Sequence, residues 1–228
     1  MRKFQLWSKA IFAGAILITG AQGIAVAADD LEVVEAASVS NWTGFYVGAH
    51  GGAGVSKIGW RYQDFGDDAS HLGNGFLGGV QAGYNAQFGN WVLGVEGDVA
   101  ASGIAGSVPC PNPAFSCKSQ IKWLGSLRLR VGYSTGNWLV YGTGGLGIGG
   151  VNIETTLDPV PGTFGTQLNR SGWAAGAGAE VALNDHWSLK GEFMHYDLGK
   201  STHEVDFGQL IDVDTEVNTA KFGLNYRF

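Results

Sequence analysis

The residues that look most like chemistry are glycines. Gly142-Thr143-Gly144-Gly145-Leu146-Gly147 is a literal G-x-G-x-x-G behind an apolar, β-branched run, which is how the phosphate-cradling turn of a dinucleotide domain begins. That turn requires a helix after its last glycine and a βαβ unit of roughly 30 residues. Here the chain continues Ile148-Gly149-Gly150-Val151 and breaks at Asp158-Pro159, so neither follows. The five histidines, His50, His71, His186, His195 and His203, show no metal-ligand spacing such as H-E-x-x-H, and no serine stands in a nucleophile-elbow context. The expectation is a protein without cofactor, metal or catalytic site, and not an enzyme. Cys110 and Cys117, the only cysteines, share the Pro-rich stretch PCPNPAFSC. In an exported chain such a pair reads as a local disulfide worth at most roughly 2 to 3 kcal/mol.

Export is written into the first residues. Arg2, Lys3 and Lys9 precede an apolar run from Ala10 to Ile18 and the small-residue exit Ala25-Val26-Ala27, the form of a secretory signal peptide. Residues 1–27 read as that signal, 28–41 as a periplasmic linker and 42–228 as one domain. Removing the signal lowers Lys+Arg from 14 to 11 against 20 acids, so the net charge moves from -6 to -9, and nucleic acid is excluded as a partner. The 38 glycines among 228 residues are more than twice the usual share of ~7 %.

Past Asn41 the chain alternates apolar with small or polar residues, and no window carries the 3.6-residue period of an amphipathic helix. Eight strands are expected, over Thr43–Gly54, Gly75–Phe88, Trp91–Ala101, Ser119–Tyr133, Trp138–Gly150, Gly172–Leu183, Trp187–Asp197 and Asn218–Phe228. Each is long enough for the ~9 to 11 residues of a tilted membrane strand. Tight turns at Gly89-Asn90, 134–137 and 184–186 alternate with long connections at 55–74, 102–118, 151–171 and 198–217. That asymmetry belongs to an antiparallel up-and-down transmembrane β-barrel.

Within the strands, apolar sets oppose charged ones. In strand four Ile121, Trp123, Leu127, Leu129, Val131 and Tyr133 alternate with Lys122, Arg128 and Arg130. The lumen is expected to hold the basic residues Lys122, Arg128, Arg130, Lys190, Lys221 and Arg227, the acidic residues Glu96, Asp98, Glu180 and Glu192, and His50 on the same parity. An eight-stranded barrel is only wide enough for side chains to fill, and charges removed from water must be paired. The lumen therefore reads as an ion-paired plug. Phe88, Trp91, Tyr133, Trp138 and Trp187 flank the tight turns, and with Phe228 they form an aromatic girdle at one rim. His195 falls on the lipid-facing parity near the loop side. The turns set the register: Phe88 opposite Trp91, Tyr133 opposite Trp138, and Leu183 opposite Trp187, which brings Glu180 against Lys190 as an interior ion pair. In strand five, Gly145 and Gly147 face the lumen beside the arginines of strand four, with Thr143 opposite Arg128 and Tyr141 opposite Arg130.

Several ordered blocks carry a resemblance: Asn41-Trp42-Thr43-Gly44-Phe45-Tyr46-Val47-Gly48, Gly94-Val95-Glu96-Gly97-Asp98, Gly125 through Tyr133, Gly172 through Glu180, and the closing Phe222-Gly223-Leu224-Asn225-Tyr226-Arg227-Phe228. Across essentially the whole mature chain the sequence resembles the small opacity-type, porin-family outer-membrane proteins of alphaproteobacteria. The resemblance implies an eight-stranded outer-membrane barrel with periplasmic termini, and a C-terminal Phe228 read by the barrel assembly machinery. The Pro-rich Cys110–Cys117 segment departs from that pattern.

The expected role is structural: a barrel in contact with outer-membrane lipids and lipopolysaccharide that contributes to envelope integrity and surface exposure. A narrow small-solute porin is the first alternative, and a surface adhesin or haemin-binding protein acting through its loops the second. The acidic loop residues Asp64, Asp67, Asp68, Glu204, Asp206, Asp212, Asp214 and Glu216 suit divalent cations bridging to lipopolysaccharide phosphates.

Overall fold

Alternation of apolar and small or polar residues favours strands, and where no water can satisfy the unpaired backbone groups of an open edge the strands must close. In a computed structural model, eight strands form one closed antiparallel barrel in sequence order, with β1 paired to β8. They are β1 (Gly44–Tyr62), β2 (Asp68–Phe88), β3 (Trp91–Pro109), β4 (Phe115–Thr135), β5 (Trp138–Leu157), β6 (Thr163–Ala182), β7 (Trp187–Val205) and β8 (Gln209–Arg227). The structure describes residues 40–62, 68–109, 115–157, 163–205 and 209–228. The expected signal peptide, nearly all of the expected linker and Cys110 of the expected disulfide lie outside the described residues, as do Asp64, Asp67 and Asp206.

The strands are 19 to 21 residues long, well beyond their sequence-read ends. Most of what reads as long loops is β-hairpin arm, paired residue for residue as far as Arg61 with Asp68 and Phe115 with Leu157. The physical reason is side-chain type. At and beyond the sequence-read ends the inward positions include Ser56, Ser102, Ser119 and Thr215, buried like their neighbours but neither apolar nor charged, so the sequence alternation fades while the backbone ladder continues.

The opposite rim is tight. Gly89-Asn90 joins β2 to β3 with Phe88 opposite Trp91. The β4–β5 turn is shorter than its sequence reading: Thr135, not Tyr133, pairs with Trp138 across Gly136-Asn137. Gly89 (φ 62) and Gly136 (φ 57) supply the left-handed backbone that two-residue turns demand. The shift is two residues, so inward and outward parity survive, but the partners change. Arg128 faces Gly145, and Arg130 faces Thr143. At the third turn Asn184 Oδ1 accepts from the His186 and Trp187 amides at 3.0 and 2.8 Å, and Glu180 stands opposite Lys190.

One stretch of β4 breaks parity. Ile121 pairs with Val151 and Trp123 with Gly150, leaving Lys122 as the extra residue of a β-bulge. Ile121 is turned fully inward and Lys122 outward, the reverse of strict alternation.

The exposed face is apolar, with Leu129, Val140, Leu146, Phe193 and Phe222 among its side chains. At its short-turn edge Phe88, Trp91, Tyr133, Trp138, Trp187 and Phe228 are all exposed. Trp91 packs edge-on against Tyr133 at 5.5 Å, and Tyr226 against Trp187 and Phe228, both at 5.2 Å. This is an aromatic ring laid around one rim.

Candidate functional site: the barrel lumen

Inward residues of β3, β4, β7 and β8 carry the charge. Glu96 and Asp98 on β3 adjoin Arg128 and Ser126 on β4 in register. Arg128 reaches Glu96 at 2.6 Å and Asp98 at 3.1 Å, then crosses to Glu192 of β7 at 3.1 Å. Lys190 of β7 meets both oxygens of Glu96 at 2.9 Å. Lys221 of β8 lies 3.3 Å from Asp98 and 3.6 Å from Glu192. Arg130 pairs with Glu180 of β6 at 3.0 Å. Four cations thus face four carboxylates, all nearly inaccessible to solvent, and the set is neutral as a whole. Neutrality is what makes such burial tolerable, because each ion keeps an opposite charge and further hydrogen bonds.

Neutral side chains complete the network. Tyr46 donates to Glu96 at 2.7 Å and accepts from Arg130 at 3.0 Å. Tyr141 donates to Glu192 at 2.9 Å while its ring lies 4.0 Å from the Arg130 guanidinium. Ser188 and the Asn225 amide donate to the remaining Glu180 oxygen at 2.6 and 2.8 Å, Gln81 donates to Asn225 at 2.6 Å, and Ser126 donates to Asp98.

Two apolar layers bound this charged one. Toward the short turns Trp42, Val92, Leu139, Tyr141 and Ala182 form a buried cluster. Trp42 is tied down by its amide to Gln87 at 2.8 Å and lies 4.7 Å from the Arg227 guanidinium. Toward the hairpin arms Leu77, Ile104, Ile121, Leu124, Val151, Met194, Tyr196, Leu198 and Val217 form a second.

The lumen thus gathers Glu96, Asp98, Arg128, Arg130, Glu180, Lys190, Glu192 and Lys221. Arg227 caps the rim, donating to the Asn184 carbonyl at 2.7 Å. His50 is buried on the inner wall with both ring nitrogens unpartnered. Two expectations are corrected. Lys122 is exposed on the outer face, because the bulge at its position reverses the parity on which the lumen reading rested. Glu180 and Lys190 face each other but do not pair: Lys190 turns to Glu96, while Glu180 is taken by Arg130, Ser188 and Asn225. A register argument sees only the adjacent strand, and these long side chains reach across the barrel.

Sequence reasoning missed Trp42 and the inner apolar layers. Trp42 shares the even parity of Tyr46 and His50, so extending strand-one alternation two residues back would have found it. His195 lies on the outer face, 2.9 Å from Asn218 through Nδ1 and 5.2 Å from the Trp173 ring.

Comparison with known proteins accords with this geometry. The family model described as outer membrane protein beta-barrel domain matches residues 25–228. The 31 kDa outer-membrane immunogenic protein of Brucella melitensis is 35% identical over 237 aligned residues, covering 94% of this chain and 96% of the relative. The 22 kDa outer membrane protein of Rhizobium leguminosarum bv. viciae is 34% identical, covering 82% of this chain and 79% of its own. Among solved structures, Ail, the attachment invasion locus protein of Yersinia pestis, aligns over 82% of this chain and 99% of its own at 13% identity and a TM-score of 0.45, a likeness too slight to bear on function. With its closed barrel, apolar exterior and paired interior, the chain belongs to the outer membrane protein beta-barrel domain family.

Proposed function

We propose that this outer-membrane barrel is a structural, non-conducting protein that contributes to envelope integrity and holds its long hairpin arms at the cell surface. One observation carries the reading: ion pairs span the lumen from wall to wall between two apolar layers. A solute would have to break several charge-assisted bonds at once, each worth about 1.5 to 3 kcal/mol. The alternative of a narrow porin draws no support from so filled an interior. The arms support the surface role, and the word immunogenic in the Brucella relative's name accords with it. Phe228, exposed at the end of β8, suits a terminal signal for the barrel assembly machinery. Outward Glu216 and the acids near the hairpin tips suit divalent cations. Planar-bilayer recording tests the central point. The purified protein is expected to give no steady conductance steps, whereas frequent, uniform steps would overturn the plug. A shift in gel migration between unboiled and boiled samples is expected for the closed barrel.

A further inference from the structure

The bulge in β4 does more than bend a strand: it removes a lysine from the lumen and plants it on the outer face. We infer that Lys122, with the amides of Gln120 and Asn152 and the indole of Trp123, forms a binding site for the phosphorylated sugar of an outer-leaflet glycolipid. The inference rests on the proposed orientation, arms outward.

Height is the first argument. Lys122 lies eleven positions along β4 from the girdle residue Tyr133. At ~3.3 Å per residue and a tilt of roughly 40°, that is about 25 to 30 Å, the top of an apolar band ~25 Å tall. The outer-face row just beyond it carries three amides and one alanine: Asn74, Ala105, Gln120 and Asn152 are successive cross-strand neighbours over four strands. Chemistry is the second. Lys122 is exposed, and neither its side chain nor that of Gln120 has an ion-pair or hydrogen-bond partner among the described residues, while Asn152 stands half-buried beside Gln120 with its Oδ1 covered. Trp123 is held beside them by Gly150, where even a Cβ would collide with the indole. An ammonium suits a phosphate, amides donate to and accept from sugar hydroxyls, and an indole suits the boundary between sugar and acyl chain. A plain phospholipid would leave the amide row idle, so a sugar phosphate is the better fit.

The test measures protection of the folded full-length protein in detergent against thermal unfolding, with diphosphorylated lipid A, dephosphorylated lipid A, phosphatidylglycerol and inorganic phosphate as probes. Diphosphorylated lipid A should bind wild type about fivefold more tightly than Lys122→Gln, the ratio that one surface lysine near a charged leaflet corresponds to. Lys122→Arg should restore most of it, and Lys57→Gln, a control on the same exposed face, should change nothing. Dephosphorylated lipid A should bind wild type as weakly as it binds the variant. Equal binding by Lys122→Gln, or equal protection by phosphatidylglycerol or inorganic phosphate, would overturn the site. Conductance is untouched by either result, so the plug stands or falls separately.

Discussion

The lumen has two kinds of wall. Hairpins β3–β4 and β7–β8, which stand across the barrel from each other, carry seven of the eight network charges. Hairpins β1–β2 and β5–β6 are lined largely by glycine, including Gly48, Gly52, Gly79, Gly145, Gly172 and Gly178. The bare walls are the room into which long side chains extend. Tyr46 lies over its cross-strand partner Gly83, and Tyr141 over Gly178, where a Cβ would strike the phenol. Lys190–Glu96, Lys221–Asp98 and Arg128–Glu192 are struts between opposite hairpins. A narrow barrel can thus place its ion pairs across its diameter by keeping alternate hairpins rich in glycine and nearly free of charge.

The sharpest way to break this division is to remove a strut. Arg128→Met leaves Glu96, Asp98 and Glu192 with one cation fewer, and orphaned buried charge typically costs about 3 to 5 kcal/mol. The urea midpoint of the refolded barrel in lipid vesicles should fall accordingly. Pairing the change with Glu192→Gln, which restores neutrality, should recover part of the loss; no recovery would mean that the cost is packing rather than charge.

The glycine wall is tested within one strand. A Cβ on Gly145 meets the Leu127 carbonyl oxygen and the Arg128 backbone, whereas one on outward Gly142 meets nothing within 4 Å. Gly145→Leu should therefore destabilise by about 1 to 3 kcal/mol or block assembly, and Gly142→Leu should fold as wild type. Similar behaviour of the two variants would show that the inner glycines are not spacers.

A smaller effect separates the network's ions from its neutral members. Tyr46→Phe removes one hydroxyl that serves both Glu96 and Arg130 but leaves every ion pair intact. The expected loss is about 1 to 2 kcal/mol by chemical denaturation, and a loss as large as that of Arg128→Met would place the tyrosine among the struts.

How much of this was legible beforehand follows from what each feature depends on. Strand number, closure, parity and the turn-side girdle depend on two-residue periodicity and turn residues, both local, and they could be read directly. Thr135 pairing with Trp138 turned on whether Ser134 and Thr135 stay in the ladder, which their composition does not decide. The exchange of Ile121 for Lys122 on the inner wall came from a single inserted residue, which carries no pattern of its own. The partner of Lys190 was hidden for a different reason: Glu96 is 94 residues away and on a strand that β7 never touches in the sheet. Pairing along a sheet is written in neighbours, and pairing across a lumen is not.

His50 gives the smallest effect and the cleanest check on the passive wall. It is buried on the inner face, its cross-strand partners are Gly79 and Gly223, and neither ring nitrogen has a hydrogen-bond partner. A buried polar group without a partner contributes desolvation cost and no bond to offset it. His50→Leu, of similar volume, removes that cost and touches none of the eight charges, so stability should change by less than about 0.5 kcal/mol or rise slightly. A drop of about 2 kcal/mol or more would put His50 inside the network. The β1–β2 wall would then be a working part of the plug, and the division between charged and bare hairpins would fail at that residue.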